Sequence, residues 1–378
     1  MGKNKTIAIF TLVSHKVNAN RFYGYGPYIK EMNIWVSHFN KVIIVAPLQN
    51  DNKLKAIDLA YEHTNIKLIA IPSFNIKSIV SSLALIIKLP LIIINMVKAM
   101  HQSDHLHFRS PSNVAAIAAM VQIFFPSKPK TVKYAGNWDP ESKQPLGYRF
   151  QKWIFGNTLL TKNMKILVYG EWKNQSKYVV PFYTASFSDS DKSSFIKKDY
   201  TKNLKFMYLG ALVAGKQPLL AIKIVEELIK KNFNIELHMY GDGDLFEELQ
   251  NYIVLKRLSA SIFLHGNQPF AEIKAHIKSA HFTMLPSKSE GWPKALAEGM
   301  FFGVIPIAIG VSCIPWMLDK GKRGILIPSE LYTAVSVIQN ELEKGGEYLN
   351  TVAKNASEWS QQFTLEYFEK GIKKILEV

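Results

Sequence analysis

The amino-acid sequence predicts an α/β protein with two doubly wound domains, each a parallel sheet with helices on both faces. Short apolar or β-branched runs alternate with longer stretches of helical spacing in both halves of the chain. A polar stretch at residues 184–203 interrupts this alternation once, and the alternation then restarts. Hydrophobic residues make up 48% of the 378 residues, which is enough to fill two cores.

The first half contains runs whose length and composition are typical of strands. They are residues 5–13, 41–47, 66–72, 105–108 and 130–135. Between them, residues 27–39 and 112–125 place apolar side chains at helical spacing. This order predicts parallel strands joined by helical crossovers.

The second half repeats the pattern after the polar stretch. Its predicted strands are residues 205–209, 235–240, 262–265, 282–285 and 304–308, and its predicted helices are residues 217–231, 245–256, 270–279 and 293–302. We therefore predict a first domain at 1–190, a linker at 191–203, a second domain at 204–360 and a terminal helix at 361–378. Since ligands bind beyond the carboxyl ends of the strands in such sheets, two of them predict a cleft site.

The net charge of +16 is concentrated in the first half of the chain. Residues 1–200 carry 26 Lys and Arg against 11 Asp and Glu, whereas residues 201–378 carry 20 against 19. Such a half could face anionic lipid headgroups or could simply be a solvated basic surface. Nucleic acid is the weaker interpretation, because no basic run is interleaved with aromatic residues.

Residues 79–97, with the sequence IVSSLALIIKLPLIIINMV, are about as long as a membrane-spanning helix. Lys88 and Pro90 lie near the centre and are costly in an isolated span. We expect a core or interfacial helix broken at Pro90. The single cysteine, Cys313, excludes an intramolecular disulfide and suits a reducing compartment. The apolar run at 7–13 reads as a strand rather than a signal peptide, so we expect a cytoplasmic protein.

The most specific motif is SKSEGWPKALAE at residues 287–298, in which Glu290 and Glu298 are eight positions apart. At ~100° per residue these two side chains would be offset by ~80° on one helix. Pro293 is a natural first helical residue, which places Glu290 in the preceding turn and Glu298 on the helix. Gly291 allows close backbone approach, and the free N–H groups of the helix favour a phosphorylated ligand.

The E-x7-E spacing in SEGWPKALAEGMFFGVIPI resembles the retaining glycosyltransferase family 4, of bacterial cell-surface polysaccharide type, with the two-domain GT-B fold of Rossmann-like domains. The resemblance implies that Glu290 contacts the donor sugar and Glu298 accepts hydrogen bonds from the ribose. It also implies a terminal helix that returns to the first domain. Donor contacts are expected in the turn that contains Gly291, Trp292, Pro293 and Lys294.

Two upstream segments resemble the same family. In FMYLGALVAGK, at residues 206–216, the resemblance implies that Lys216 reaches the donor diphosphate beside the turn at Gly210. The family usually carries Arg where this chain has Ala211, so one cationic contact is missing. MYGDGDL, at residues 239–245, resembles the turn beneath the nucleotide and contains Gly241 and Gly243.

The first half offers less specific candidates for an acceptor side. The YGYGPY segment at 23–28 contains Gly26, which could let a phosphate or acceptor approach or could belong to a simple loop. His105, His107 and Arg109 alternate along one strand face; Arg109 could bind an anionic acceptor, and His107 could line the cleft. Asn137 and Asp139 lie where the family often has a histidine.

Two D-x-D strings, at residues 189–191 and 242–244, are interpreted as structural, and no essential metal or other cofactor is expected. The expected reaction is transfer, with retention, from a UDP- or GDP-linked sugar to a hydroxyl of a lipid-linked or polysaccharide acceptor. The basic domain would then face the anionic inner surface of the plasma membrane.

Several alternatives remain open from the sequence. They are an epimerase or phosphorylase of the same fold, a non-catalytic basic protein that binds membranes or polyanions, and a transferase impaired by Ala211.

Overall fold

The computed structural model describes residues 5–49, 51, 53–55, 57–72 and 79–377, without the side chains of 79–85. The chain divides into two compact units. Unit 1 is Met1–Phe182 with Glu369–Val378, and unit 2 is Tyr183–Phe368. Unit 1 carries 26 Lys and Arg against 10 Asp and Glu, whereas unit 2 carries 20 of each kind. The whole net charge therefore belongs to unit 1.

The described part of unit 1 contains a parallel sheet of seven strands in the order β10-β9-β8-β7-β1-β4-β6. These strands are β1 (Thr6–Phe10), β4 (Lys41–Pro47), β6 (Ile66–Ile71), β7 (His105–Ser110), β8 (Lys130–Tyr134), β9 (Met164–Tyr169) and β10 (Val179–Phe182). The central strands are buried on both faces, which explains their continuous apolar runs.

Helices cover both faces of this sheet. They are α1 (Gly26–Val36), α2 (Ile79–His101), α3 (Asn113–Val121) and α4 (Leu146–Gly156). Helices α2, α3 and α4 pack on one face in a shared core. Helix α1 packs on the other face, where the Trp35 ring lies 4.4 Å from the His107 ring. The α3 helix starts at a cap, because the Ser112 hydroxyl accepts a hydrogen bond from Ala115 N.

A small antiparallel sheet in unit 1 was not predicted. It consists of β2 (Lys16–Asn18), β3 (Arg21–Tyr25) and β5 (Asp58–Ala60). Strands β2 and β3 form a hairpin whose turn, Ala19 and Asn20, has positive φ at both residues. The first part of the YGYGPY segment at 23–28, for which a simple loop was one of two interpretations, is therefore strand β3, because pairing with β2 and β5 satisfies its backbone.

Helix α2 continues through Pro90, so the prediction of a break there was wrong. Pro90 and the residue four positions earlier, Ile86, are both exposed, and solvent can satisfy the carbonyl that the proline leaves unpaired. Among the described residues, no helix is long and apolar enough to cross a membrane.

Unit 2 contains, in its described residues, a parallel sheet of six strands in the order β13-β12-β11-β14-β15-β16. The strands are β11 (Leu204–Leu209), β12 (Ile235–Tyr240), β13 (Ile262–Leu264), β14 (Phe282–Leu285), β15 (Ile305–Ile309) and β16 (Ile325–Ile327). The helices are α5 (Pro218–Lys230), α6 (Phe246–Leu255), α7 (Phe270–Ser279), α8 (Lys294–Phe301), α9 (Ile314–Met317), α10 (Leu331–Glu343) and α11 (Gly346–Ser360). Each predicted strand and helix of this half is present within one residue at either end.

The predicted linker at 191–203 lies within unit 2, whose boundary falls after Phe182 rather than at residue 190. Its polar groups are bonded to the unit: Lys198 N donates to Asn350 Oδ1 at 2.8 Å, and Asp191 pairs with Lys274. The Ser-, Asp- and Lys-rich composition therefore serves packing here rather than mobility. The final helix, α12 (Leu365–Leu376), begins in unit 2 and ends in unit 1.

Candidate functional site

The sheet of unit 2 has one point at which the strand order reverses. From β11 the chain builds outward through β12 and β13, then returns to place β14 on the other side of β11. Ligands of doubly wound sheets bind beyond the carboxyl ends of the strands at such a switch point. The loops that follow β11 and β14, residues 210–217 and 286–293, meet there.

Two contacts join these loops. Lys288 N donates to Gly215 O at 2.9 Å, and Lys216 Nζ lies 2.5 Å from Glu290 Oε1. The Glu290 side chain is only 5% exposed, whereas that of Lys216 is 32% exposed. A lysine ammonium has three donors, so Lys216 can hold Glu290 and still donate to an anion at the open side.

The turn that carries Glu290 is fixed from a third loop, which follows β15. Glu290 N donates to Ser312 Oγ at 3.1 Å, and the Cys313 thiol donates to Gly291 O at 3.1 Å. Burial raises the pKa of Cys313 to about 12, which keeps the thiol protonated and able to donate. No sequence motif indicated Ser312 or Cys313 at this place, because only the pairing of β14 with β15 makes the two loops neighbours.

Trp292 anchors the other end of the same turn. Its ring is 8% exposed and stacks on Trp359 at 6.1 Å, with Phe363 at 5.6 Å and Trp316 at 6.4 Å. The ring thus lies in an aromatic cluster that the sequence did not reveal. Pro293 is the residue immediately before α8, and Lys294 is the first helical residue, one position later than predicted.

Glu298 lies on α8 and is nearly buried. Its Oε1 accepts a hydrogen bond from Ser186 Oγ at 2.6 Å. Ser186 belongs to the stretch predicted as polar connection, where Phe187 also packs its ring 4.7 Å from that of Phe301. This segment holds the second carboxylate in place, a role that its composition did not indicate.

Gly241 and Gly243, in the segment that resembles the turn beneath the nucleotide, lie where backbone packing leaves no room for a side chain. Gly241 has φ +133°, and a Cβ there would lie 2.0 Å from Gly210 O. A Cβ on Gly243 would lie 2.5 Å from Leu212 O. Gly210 itself donates to Tyr240 O at 3.0 Å and has room for a Cβ. The two turns after β11 and β12 are thus pressed together at the carboxyl edge of the sheet.

In unit 1, His107 does not line an open site, contrary to the prediction. It is fully buried on the central strand β7, between the Trp35 ring and Thr131, whose Oγ1 lies 2.8 Å from His107 Nδ1. Burial lowers the pKa of His107 well below its usual value, so the ring is neutral. His105 contacts the same hydroxyl at 2.9 Å, as expected for residues that share a strand face.

Arg109 was expected to bind an anionic acceptor, but the structure pairs it with a carboxylate of its own unit. Its guanidinium pairs with Glu31 of α1 and lies 5.3 Å from the centre of the Tyr28 ring. Its side chain is nearly buried, because strand β7 directs it beneath α1. Gly26 begins α1, and a Cβ there would lie 2.4 Å from Ile57 O. Close packing of two backbones therefore accounts for this glycine.

Asn137 and Asp139 form a turn after β8, in which Asp139 N donates to Asn137 Oδ1 at 2.9 Å. Trp138 between them lines a pocket of about 410 Å³. The wall of this pocket also contains Arg149, Lys152 and Trp153 of α4. Lys152 Nζ donates to Trp138 O at 2.7 Å, and partial burial lowers its pKa to about 8. Helix α4 was not predicted, so these residues were missed.

The aspartates of the D-x-D strings make structural contacts, including the pairing of Asp191 with Lys274 and the hydrogen bond that Asp189 accepts from the Thr364 hydroxyl. Asp191 closes a capping box with Ser188, and Asp242 Oδ1 accepts from Gly243 N at 2.8 Å. In the part of the chain that the structure describes, no group of three or more His, Cys, Asp or Glu side chains is arranged to hold a metal ion.

Residues 189–359 match the family model described as Glycosyl transferases group 1. Over 225 residues the chain is 28% identical to an uncharacterized glycosyltransferase of Methanocaldococcus jannaschii. The matched segment covers 52% of this chain and 62% of that protein. Over 130 residues it is 31% identical to the lipopolysaccharide 1,6-galactosyltransferase of Salmonella typhimurium. This match covers 34% of this chain and 35% of that protein. The chain thus spans about three fifths of the first relative and a third of the second.

Solved structures resemble the chain over almost its whole length. Anabaena HepE in complex with UDP has a TM-score of 0.69 at 15% identity and covers 98% of this chain and 99% of its own. WaaG, a glycosyltransferase involved in lipopolysaccharide biosynthesis, has a TM-score of 0.65 at 13% identity and covers 99% and 100%. These likenesses establish the fold: the chain has the GT-B fold with two Rossmann-like domains, as the sequence predicted.

Proposed function

We propose that the protein is a retaining glycosyltransferase of family 4 that transfers a sugar from a nucleoside-diphosphate sugar to a hydroxyl acceptor. The observation that carries the proposal is the Lys216–Glu290 pair at the switch point of unit 2. Both residues lie inside the segment that matches the glycosyltransferase family model. The names of the relatives support the same reaction class and do not favour an epimerase or a phosphorylase.

In the proposed donor complex, Lys216 binds the diphosphate. Leaving-group charge develops on this diphosphate as the glycosidic bond breaks, and a fixed cation stabilises that charge. The backbone N–H groups of Gly291, Trp292 and Lys294, in the turn that leads into α8, can donate to the same diphosphate, which matters because this chain has Ala211 where an arginine would add a cation. Electrostatic stabilisation by preorganised donors is usually the largest single contribution to such a transfer.

Glu290 is proposed to orient the donor sugar beside the reacting carbon. Its carboxylate is held by Lys216, while its backbone is held by Ser312. A carboxylate fixed in this way can stabilise positive charge at the anomeric carbon without moving during the reaction. Retention of the anomeric configuration is part of the proposal and is supported by the sequence resemblance.

Glu298 is proposed to accept hydrogen bonds from the ribose hydroxyls. The Ser186 hydroxyl donates to Glu298 Oε1 and so orients the carboxylate. Carboxylate oxygens are strong acceptors for the hydroxyl groups of a ribose. The neighbouring structures in complex with UDP and with UDP-glucose support a nucleotide-sugar donor, with UDP or GDP as the carrier.

We further propose that unit 1 supplies the acceptor surface. The acceptor would be a lipid-linked or polysaccharide saccharide, the class suggested by the relative named for lipopolysaccharide galactosyl transfer. The pocket at Trp138 suits a saccharide, because Trp153 is exposed beside Arg149 and can stack on a sugar face. The proposal places the protein in the cytoplasm, at the inner face of the plasma membrane.

The experiment uses the purified full-length chain. A thermal-shift screen against UDP, GDP, ADP and CMP identifies the carrier, because a ligand of the folded state raises the apparent Tm. The matching labelled nucleotide sugar is then incubated with lipid extract or oligosaccharide acceptors. Labelled glycan product, with the donor's anomeric configuration, supports the proposal. An epimerised donor, phosphate-dependent exchange, or the absence of any nucleotide-induced shift would contradict it.

A further inference from the structure

Helix α2 has a solvent-facing side that is apolar. A surface helix of a water-soluble domain normally directs polar residues outward. On α2 the exposed residues between positions 86 and 97 are apolar apart from Lys88, and Ile87 is 82% exposed and Leu91 54% exposed. At ~100° per residue the exposed apolar positions fall within an arc of about 140°. These positions are Ile86, Ile87, Pro90, Leu91, Ile94 and Val97.

The helices beside α2 also expose large apolar side chains. Helices α2, α3 and α4 share one core on the same face of the sheet, so their outer surfaces form one layer. Met120 of α3 is exposed, and Phe124, just beyond α3, is 81% exposed. Trp153 of α4 is also exposed. We call the outer surface of these three helices the apolar face.

Basic residues border the apolar face. Lys88 and Lys98 are both exposed on α2, and on a helical projection Lys98 lies inside the apolar arc while Lys88 lies about 60° beyond its edge. Arg149 is exposed on α4, one turn before Trp153. Unit 1 as a whole carries the entire net charge of +16. The face therefore combines insertable aliphatic and aromatic side chains with cations.

We infer that the apolar face docks on an anionic lipid bilayer, with Ile87, Leu91 and Ile94 inserted at the boundary between headgroups and acyl chains. Amphipathic helices that lie in this plane combine an apolar side with Lys and Arg. Trp153 and the lysines would sit at headgroup level, where aromatic rings and cations are favoured. No spanning segment is needed, in agreement with the absence of a candidate among the described helices.

The positive charge of unit 1 favours an anionic lipid surface, rather than a second copy of the chain, as the partner of the apolar face. Two copies that met through this face would bring two units of +16 together, and like charges oppose such an association. An anionic bilayer attracts the same surface, with each nearby Lys or Arg contributing to binding. The inference requires only this surface and does not depend on the proposed transferase reaction.

The test is co-sedimentation of the full-length protein with vesicles of pure phosphatidylcholine or with 30% phosphatidylglycerol added. We expect binding to the anionic vesicles that weakens with salt. The double variant Ile87→Ser, Leu91→Ser should lower the partition coefficient at least tenfold, since ~1.4 kcal/mol of lost burial corresponds to a factor of ten. Lys88→Gln with Lys98→Gln should lower it about 25-fold, at ~1 kcal/mol per lysine.

The matched control is Val254→Ser with Leu255→Ser, an exposed apolar pair on α6 of unit 2. It should bind vesicles like the wild type. Circular dichroism and a nucleotide thermal shift, measured without vesicles, verify the folding of every variant. Equal vesicle binding by the α2 variant and the control would overturn the inference. So would lipid-free oligomers that bind no vesicles and dissociate in the α2 variant, because the face would then serve self-association.

Discussion

The two units share a doubly wound parallel architecture but differ in what they expose and what they bury. Unit 1 exposes an apolar and basic surface and carries the whole net charge, whereas unit 2 is electrically balanced. Unit 2 buries two carboxylates, Glu290 and Glu298, near the carboxyl edge of its sheet. Unit 1 instead buries two neutral histidines, His105 and His107, within strand β7 of its sheet. The same fold can thus support the proposed ligand site in unit 2 and the proposed docking surface in unit 1, because loops and outer helix faces change independently of the cores.

The largest effect is expected at the carboxylate of unit 2. Glu290→Gln removes the charge that Lys216 pairs with and should lower kcat by roughly 100- to 1000-fold, the range for loss of a preorganised electrostatic group. Steady-state transfer assays measure it. The control is Lys288→Ala, an exposed lysine two positions earlier. Lys288→Ala should keep a kcat close to that of the wild type. If Glu290→Gln retains more than a tenth of wild-type kcat, the assignment of the reacting centre is wrong.

The second contrast is the acid sensitivity of the unfolding free energy, which should be greater in unit 1. Burial lowers the pKa of His15, His105 and His107 in unit 1, whereas in unit 2 it lowers that of His281 to about 4. Burial lowers the pKa of His15 to about 4. The unfolded chain therefore takes up a proton below about pH 6.5, while the folded chain does not until about pH 4. The contribution of the neutral, buried His15 to the unfolding free energy is complete above pH 6.5. It is lost progressively as the pH falls towards 4, by about 3 kcal/mol.

Urea unfolding of wild type and His15→Gln between pH 7 and 4.5 measures this contribution. The variant should show a shallower pH dependence of the unfolding free energy. Gln preserves a polar partner for the Tyr61 hydroxyl, which lies 3.1 Å from His15 Nε2. His101→Gln, at the exposed end of α2, serves as the control. Parallel pH profiles for wild type and His15→Gln would show that the buried ring is not the source of the sensitivity.

Replacing a glycine in these turns should lower the unfolding free energy only where two backbones are in close contact. Gly241→Ala combines a positive φ with a Cβ placed 2.0 Å from Gly210 O, and should cost about 2–3 kcal/mol of unfolding free energy. Gly215→Ala, where a Cβ meets nothing within 4 Å, should be close to neutral. Equilibrium denaturation of both variants compares them. Equal stabilities would mean that the turns after β11 and β12 are not packed as described.

The smallest effect is expected at the second carboxylate. Glu298→Gln keeps an acceptor for Ser186 but removes the negative charge, and donor affinity should fall about tenfold, because hydrogen bonds to charged groups contribute ~1.5–3 kcal/mol. Calorimetric titration with the nucleotide measures Kd. Ser186→Ala, which loosens the orientation of Glu298, should change Kd less than Glu298→Gln does. A larger loss in Ser186→Ala would indicate that the serine, rather than the carboxylate, contacts the ligand.

Sequence reasoning worked best where local signals and tertiary context agreed. Strands β12 and β14 have the predicted bounds, because their apolar runs end at strong turn residues. The hairpin β2–β3 and helix α4 were missed, because short exposed strands and a mixed polar and aromatic helix have weak periodicity. Residues 191–203 have the composition of a linker, yet long-range partners such as Asn350 hold them.

By itself, the sequence determined the class of fold, the uneven charge and the motif that contains Glu290 and Glu298, since these depend on composition and spacing along the chain. The tertiary structure alone decided that Lys216, 74 positions before Glu290, pairs with it, that His107 is buried, and that α2 turns an apolar side to solvent. These outcomes depend on strand order and on which side of each element is covered. Neither is fixed until distant segments pack together.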